Sequence, residues 1–109
     1  MKADVGNLLF IKDKIDANKR RPFMCMHVFT NKAGVPYNWL IVPITSKDSV
    51  GQENLVEITH VKLATKSYAK INNLECISWN DDIEIATKKF AKECTNAVSD
   101  KLGSLFTRK

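Results

Sequence analysis

Trp39-Leu40-Ile41-Val42-Pro43-Ile44-Thr45-Ser46 is an apolar run that ends in two hydroxyls, and Lys19-Arg20-Arg21-Pro22 is a cationic lead into a second run, Phe23 to Phe29. Both runs are rich in β-branched, aromatic and sulfur-containing residues and are of strand length, so both read as strands of one sheet. A guanidinium entering one strand and hydroxyls leaving its neighbour could meet at one edge of that sheet. Such a meeting suits a phosphodiester, which needs positive charge and hydrogen-bond donors.

Further strands are expected around these two. Residues 6–11 form a first strand led in by Gly6, and residues 12–20 a charged loop. The second strand covers 21–30, with Pro22 near its start, where a missing N–H is tolerated. Gly34 and Pro36 make 31–37 a turn. The third strand, 39–44, is almost wholly apolar and hence buried; Pro43 within it argues for a sheet edge, a bulge or a strand end. After a polar loop over 47–54, loose alternation over 55–61 suggests a fourth strand, and 67–70 and 74–78 suit one or two more. From Asn80 the period changes. Ile83, Ala86, Phe90, Cys94, Val98, Leu102 and Leu105 follow helical spacing, which predicts an amphipathic helix over about 80–106. The expected fold class is mainly β with a C-terminal helix: one domain, strand-rich over about 6–78.

At 109 residues the chain suffices for one domain, and an apolar content of 44% is ordinary for a folded globule rather than a disordered one. Seventeen Lys and Arg against 12 Asp and Glu give a net charge of +5, compatible with a polyanionic partner. The three cysteines, Cys25, Cys76 and Cys94, are scattered and odd in number, so they suggest neither a zinc site nor a disulfide framework. Cys25 and Cys94 read as small buried hydrophobes, which fits a reducing, cytoplasmic setting. No stretch is long and apolar enough for a membrane helix, and no signal-peptide pattern opens the sequence.

Three segments in order, Gly6 to Ile11, Arg20-Arg21-Pro22 and Val42-Pro43-Ile44-Thr45-Ser46, resemble the MazF/PemK family, the toxins of bacterial toxin–antitoxin pairs. The resemblance covers about 6–78. It implies an SH3-like small barrel and a homodimer that cuts single-stranded RNA without a metal or other cofactor and is inhibited by a cognate antitoxin protein. It also implies that Arg21 and Thr45 are the catalytic pair. One feature departs from the family: many relatives carry Gln-x-Arg on a late strand where this chain has Asn73-Leu74-Glu75, an acid in place of a cation. The first loop, 13–19, is also free of glycine.

Lys19, Arg20, Ser46 and Lys47 are the expected RNA-binding residues, and no metal ligands are expected. Read from the residues alone, Arg21 could instead pair with an acid at a strand end, and Thr45 and Ser46 could terminate a strand on local backbone. His27, in mid-strand, is expected to be a satisfied core histidine, and His60 is read the same way. Trp39 and Tyr37 could stack on bases but more simply anchor the barrel. Two other uses of the same barrel stand beside the nuclease: a non-catalytic nucleic-acid-binding domain and a protein-interaction module.

Overall fold

The structure, a computed structural model, describes residues 2–46, 54–63 and 66–106. In chain order they form β1 (Asn7–Lys12), β2 (Arg20–Thr30), β3 (Pro36–Thr45), β4 (Leu55–Ile58), β5 (Ser67–Lys70), a 3-10 turn (Ile71–Asn73), β6 (Glu75–Ile77), β7 (Glu84–Lys89) and α1 (Lys92–Phe106). The sheet runs β4-β5-β3-β2-β1-β7, with β6 also paired to β3, and every pairing is antiparallel. It curls into a half-barrel with α1 against one side. The expectation of a mainly β chain with a C-terminal helix is met.

Side chains alternate across a strand, so the curled sheet buries a different apolar set on each face. Leu8, Met24, Val42, Ile44, Ile58, Ile71 and Phe90 lie on one face, beneath Val98 and Leu102 of α1. Leu9, Cys25, Trp39, Ile41 and Ile83 lie on the other, with Phe23, Ile77 and Trp79 packed against them. Trp39 is 1% exposed, its indole N–H donates to the Ala3 carbonyl at 3.0 Å, and its ring lies 5.1 Å from that of Trp79. It is therefore an anchor of the fold rather than a stacking platform.

Pro43 sits inside the sheet, where β3 changes partner on one edge. Residues 39–41 face β6 and residues 44–45 face β5. Pro43 falls in the gap between the two ladders, where a residue without an N–H is tolerated. Gly6 ties the opposite end together: its N–H donates to the Cys25 carbonyl and its carbonyl accepts from the Phe90 N–H, both at 2.8 Å, at a φ of 90° that favours glycine.

Two expectations are corrected. The helix begins at Lys92, not near Asn80, because 84–89 is an edge strand on β1, with Leu9 opposite Ile85. Ile83, Ala86 and Phe90 satisfy helical spacing, but Ile83 and Ile85 also alternate, and the exposed edge of β1 supplies the strand's partner. Asn80 accepts from the Asp82 N–H in the turn before β7 and caps no helix. His27, expected in the core, is exposed, its ring set edge-on to Phe29. The register of β2 on β3 shifts between Cys25 and His27. That bulge advances the alternation by one residue, so Val28 rather than His27 returns to the face of Cys25.

His60, just past β4, spans the gap to β7. Its Nδ1 accepts from the Lys62 N–H at 3.0 Å, which makes Nε2 the protonated nitrogen, donating to the Lys88 carbonyl at 2.7 Å. The ring also meets Phe90 edge-on at 5.0 Å. Each net hydrogen bond contributes about 1 kcal/mol. His60→Ala should accordingly lower unfolding stability by about 2 kcal/mol, read as a reduced urea midpoint at unchanged slope.

Candidate active site

Arg21 stands on β2 opposite Ile11 of β1. On its other side, β2 pairs with β3 through Cys25↔Ile41, Met24↔Val42 and Phe23↔Pro43. The same register carried two residues further along both strands brings Arg21 level with Thr45, on one face. Both line a cleft of about 980 Å³, at the upper end of the roughly 300–1,000 Å³ usual for ligand sites. Ser46 lies on the same rim, and Phe23, Ile41, Pro43 and Ile77 form an apolar floor.

The cleft is basic. Lys12, Lys14, Arg21, Lys62 and Lys70 line it, against two carboxylates, Asp13 and Glu75. Arg21 is held by one of them: its Nε and Nη2 each lie 3.3 Å from Asp13 Oδ2. The Asp13 N–H donates to the Lys19 carbonyl at 2.9 Å, extending the β1–β2 ladder into the loop. Asp13 is thus a diagonal neighbour of Arg21 on the same face. Its Oδ1 accepts from the Ile15 N–H at 3.3 Å, and Asp16 Oδ1 accepts from the Asn18 N–H at 3.1 Å. These aspartate turns shape the loop without glycine. Lys14 reaches Glu75 across the cleft at 3.6 Å. With the Lys14 side chain 91% exposed, that ion pair is of the surface kind that contributes about 0–1 kcal/mol and does not by itself hold the loop.

The remaining sequence candidates separate. Arg20 follows the strand alternation to the opposite face. There its Nη1 donates to the Asp82 carbonyl at 2.6 Å and its Nε lies 3.3 Å from Glu84 Oε1. It lines a smaller hollow with Phe10, Lys62 and Thr87. Lys19 is exposed at the end of the first loop and is not part of the cleft wall. Lys47 lies outside the described residues. Sequence reading did not single out Asp13, Lys62 or Lys70. Asp13 had a usable signal, since pairing Ile11 with Arg21 puts it diagonal to the guanidinium; Lys62 and Lys70 reach the cleft only through the curl of the sheet. Among the described residues, no group of three or more His, Cys, Asp and Glu side chains is placed to hold a metal ion. No helix among them is long and apolar enough to cross a membrane.

No protein-family model matches the sequence, and no curated protein matches it. A solved structure does match: the crystal structure of MazE–MazF (Form-II) from Deinococcus radiodurans, with a TM-score of 0.73 over 100% of this chain and 99% of that one. The fold is MazF-like. At 21% identity the likeness is one of backbone, and it extends through β7 and α1, beyond the 6–78 over which the short motifs run. In this MazF-like frame the Arg-Pro and Pro-Ile-Thr-Ser segments lie on adjacent strands and share a cleft.

Hydrogen bonding favours the ionised form of Asp13 in the cleft. The Ile15 N–H, and then the Arg21 guanidinium, hold the Asp13 carboxyl below its ordinary 3.8, against the opposing pull of desolvation. A depressed carboxylate stabilises the folded state above its unfolded pKa, and that contribution is lost as pH falls through the folded value. An NMR titration should place Asp13 below 3.8. Arg21→Ala should raise it only part of the way, because the Ile15 contact, the larger cause, remains. Burial pushes the Cys25 thiol up to about 11, whereas Cys76 is exposed on the cleft wall. A maleimide at neutral pH should label Cys76 in the native protein and Cys25 only after unfolding, as read by peptide mapping.

Proposed function

We propose that this chain is the toxin of a toxin–antitoxin pair, an endoribonuclease that cuts single-stranded RNA without a metal ion. The observation that carries this reading is the convergence of Arg21 and Thr45 on one basic cleft in a MazF-like fold. The neighbour's description as a MazE–MazF complex supports an antitoxin protein as partner, and a homodimer working in the cytoplasm completes the reading.

RNA carries its own nucleophile. The 2′-hydroxyl adjacent to the scissile phosphate attacks phosphorus and loses its proton. The bond to the 5′ oxygen breaks, and that oxygen takes up a proton. The products are a cyclic 2′,3′-phosphate and a free 5′-hydroxyl. Charge gathers on the non-bridging oxygens in the transition state, where the Arg21 guanidinium stabilises it through charge-assisted hydrogen bonds. The Thr45 hydroxyl orients the phosphate for in-line attack. Ser46 adds a donor on the same rim. Lys62 borders both the cleft and the hollow containing Arg20, so a strand leaving the cleft past Lys62 reaches Arg20. Lys19 and Lys47 would meet its flanking phosphates.

Glu75 favours a second reading, in which the barrel binds RNA without cutting it, because its carboxylate on the cleft wall repels phosphate. Cleavage of a long unstructured RNA in EDTA separates the two. The nuclease reading expects cleavage by the wild-type chain, a loss of about 10²–10³-fold in rate for Arg21→Ala and of about 10²-fold for Thr45→Ala. Mapped ends should be a cyclic phosphate and a 5′-hydroxyl. Equal rates in all three proteins would remove both roles. Salt-sensitive binding with no products would establish the second reading.

A further inference from the structure

The geometry points to Asp13 as the positioning residue for Arg21, an inference that rests on the nuclease reading above. Asp13 Oδ2 takes two of the five guanidinium N–H donors, Nε–H and one on Nη2, both at 3.3 Å. Three donors are left: both hydrogens on Nη1 and the second on Nη2. The second hydrogen on Nη2 and the outer one on Nη1 form the end of the guanidinium, a separate fork that matches two oxygens of a phosphate, and the inner Nη1 hydrogen points back beside Cδ. The carboxylate therefore grips the side of the guanidinium and leaves its phosphate-binding edge unobstructed.

The two partners differ in exposure as that division of labour requires. The Asp13 side chain is 16% exposed and the Arg21 side chain 62%. Asp13 is itself fixed at two further points, its N–H on the Lys19 carbonyl and its Oδ1 on the Ile15 N–H. A long, flexible arginine at the start of a strand loses rotamer freedom to this anchor before substrate arrives. The anchor is ionised throughout the neutral range, and its depressed pKa extends that charge into more acidic solution. The same negative charge stands beside an incoming phosphate, so it opposes RNA binding while it orients the group that acts on the transition state.

That opposition gives a test that a purely structural loop residue fails. Asp13→Asn keeps an oxygen for the Ile15 N–H and removes the charge. In steady-state cleavage of an RNA oligonucleotide, kcat should fall about tenfold while KM is unchanged or lower. Asp13→Glu should recover part of kcat. In nitrogen-15 NMR the wild-type Arg21 Nε–H should be slow to exchange with water, and Asp13→Asn should return it to the rate of a solvated arginine. A kcat within twofold of wild type, a raised KM at unchanged kcat, or an Arg21 Nε–H that exchanges freely in the wild type would each overturn the assignment. Wild-type protein that binds the oligonucleotide and never cleaves it removes the nuclease reading, and the positioning role with it. Cleavage by wild type that Asp13→Asn equals removes the positioning role alone.

Discussion

The antiparallel pairing of β2 with β3 is the constraint on which the rest of the molecule depends. These two strands are the longest among the described residues, and they supply residues to both apolar clusters. Because directly opposed residues share a face, one register sets everything along it. Met24 with Val42 goes beneath the helix, Cys25 with Ile41 goes to the Trp39 side, and Arg21 comes level with Thr45 at the open end. A slip of one residue would send the apolar sets to the wrong faces and part the guanidinium from the hydroxyl.

The same alternation divides two adjacent arginines between two tasks. Arg20 turns to the β1–β7 edge, where the Asp82 carbonyl and Glu84 bind it and it helps hold the last strand. Arg21 turns to the cleft and meets Asp13. The loop before them is shaped by the side chains of Asp13 and Asp16 on nearby N–H groups. Aspartates thus shape this loop without glycine, and one of them also carries the charge that meets the guanidinium. At the other end of the sheet path, His60 links the end of β4 to β7 by donating Nε2–H to the Lys88 carbonyl, while its Nδ1 accepts from the nearby Lys62 N–H. A histidine that could suggest acid–base chemistry is instead a closure of the barrel wall.

Runs of strand-forming residues bounded by charged or turn-forming segments are legible in the sequence. Residues 67–70 form the strand expected of them, and β1, β2 and β3 lie within a few residues of expectation. The sequence is ambiguous where two periods fit the same residues or where one residue interrupts the period. Ile83, Ala86 and Phe90 satisfy a helical stripe as well as an edge strand, and only the open edge of β1 decides between them. The β2 bulge is invisible in composition, yet it moves His27 out to solvent and Val28 in. Pro43 marks an interruption in its strand, but its place at a change of partner depends on both β5 and β6.

Local chemistry alone determined that this is a mainly β chain with a C-terminal helix, with a cation at the start of one strand and hydroxyls at the end of another. Those properties reside in side-chain period and residue type, which neighbours along the chain are enough to express. Only the tertiary structure decided which carboxylate meets Arg21, which lysines line the cleft and where the last strand gives way to the helix. Each of these depends on the curl of the sheet and the pairing of its edges. Segments distant in sequence meet there, and no period along the chain encodes that meeting.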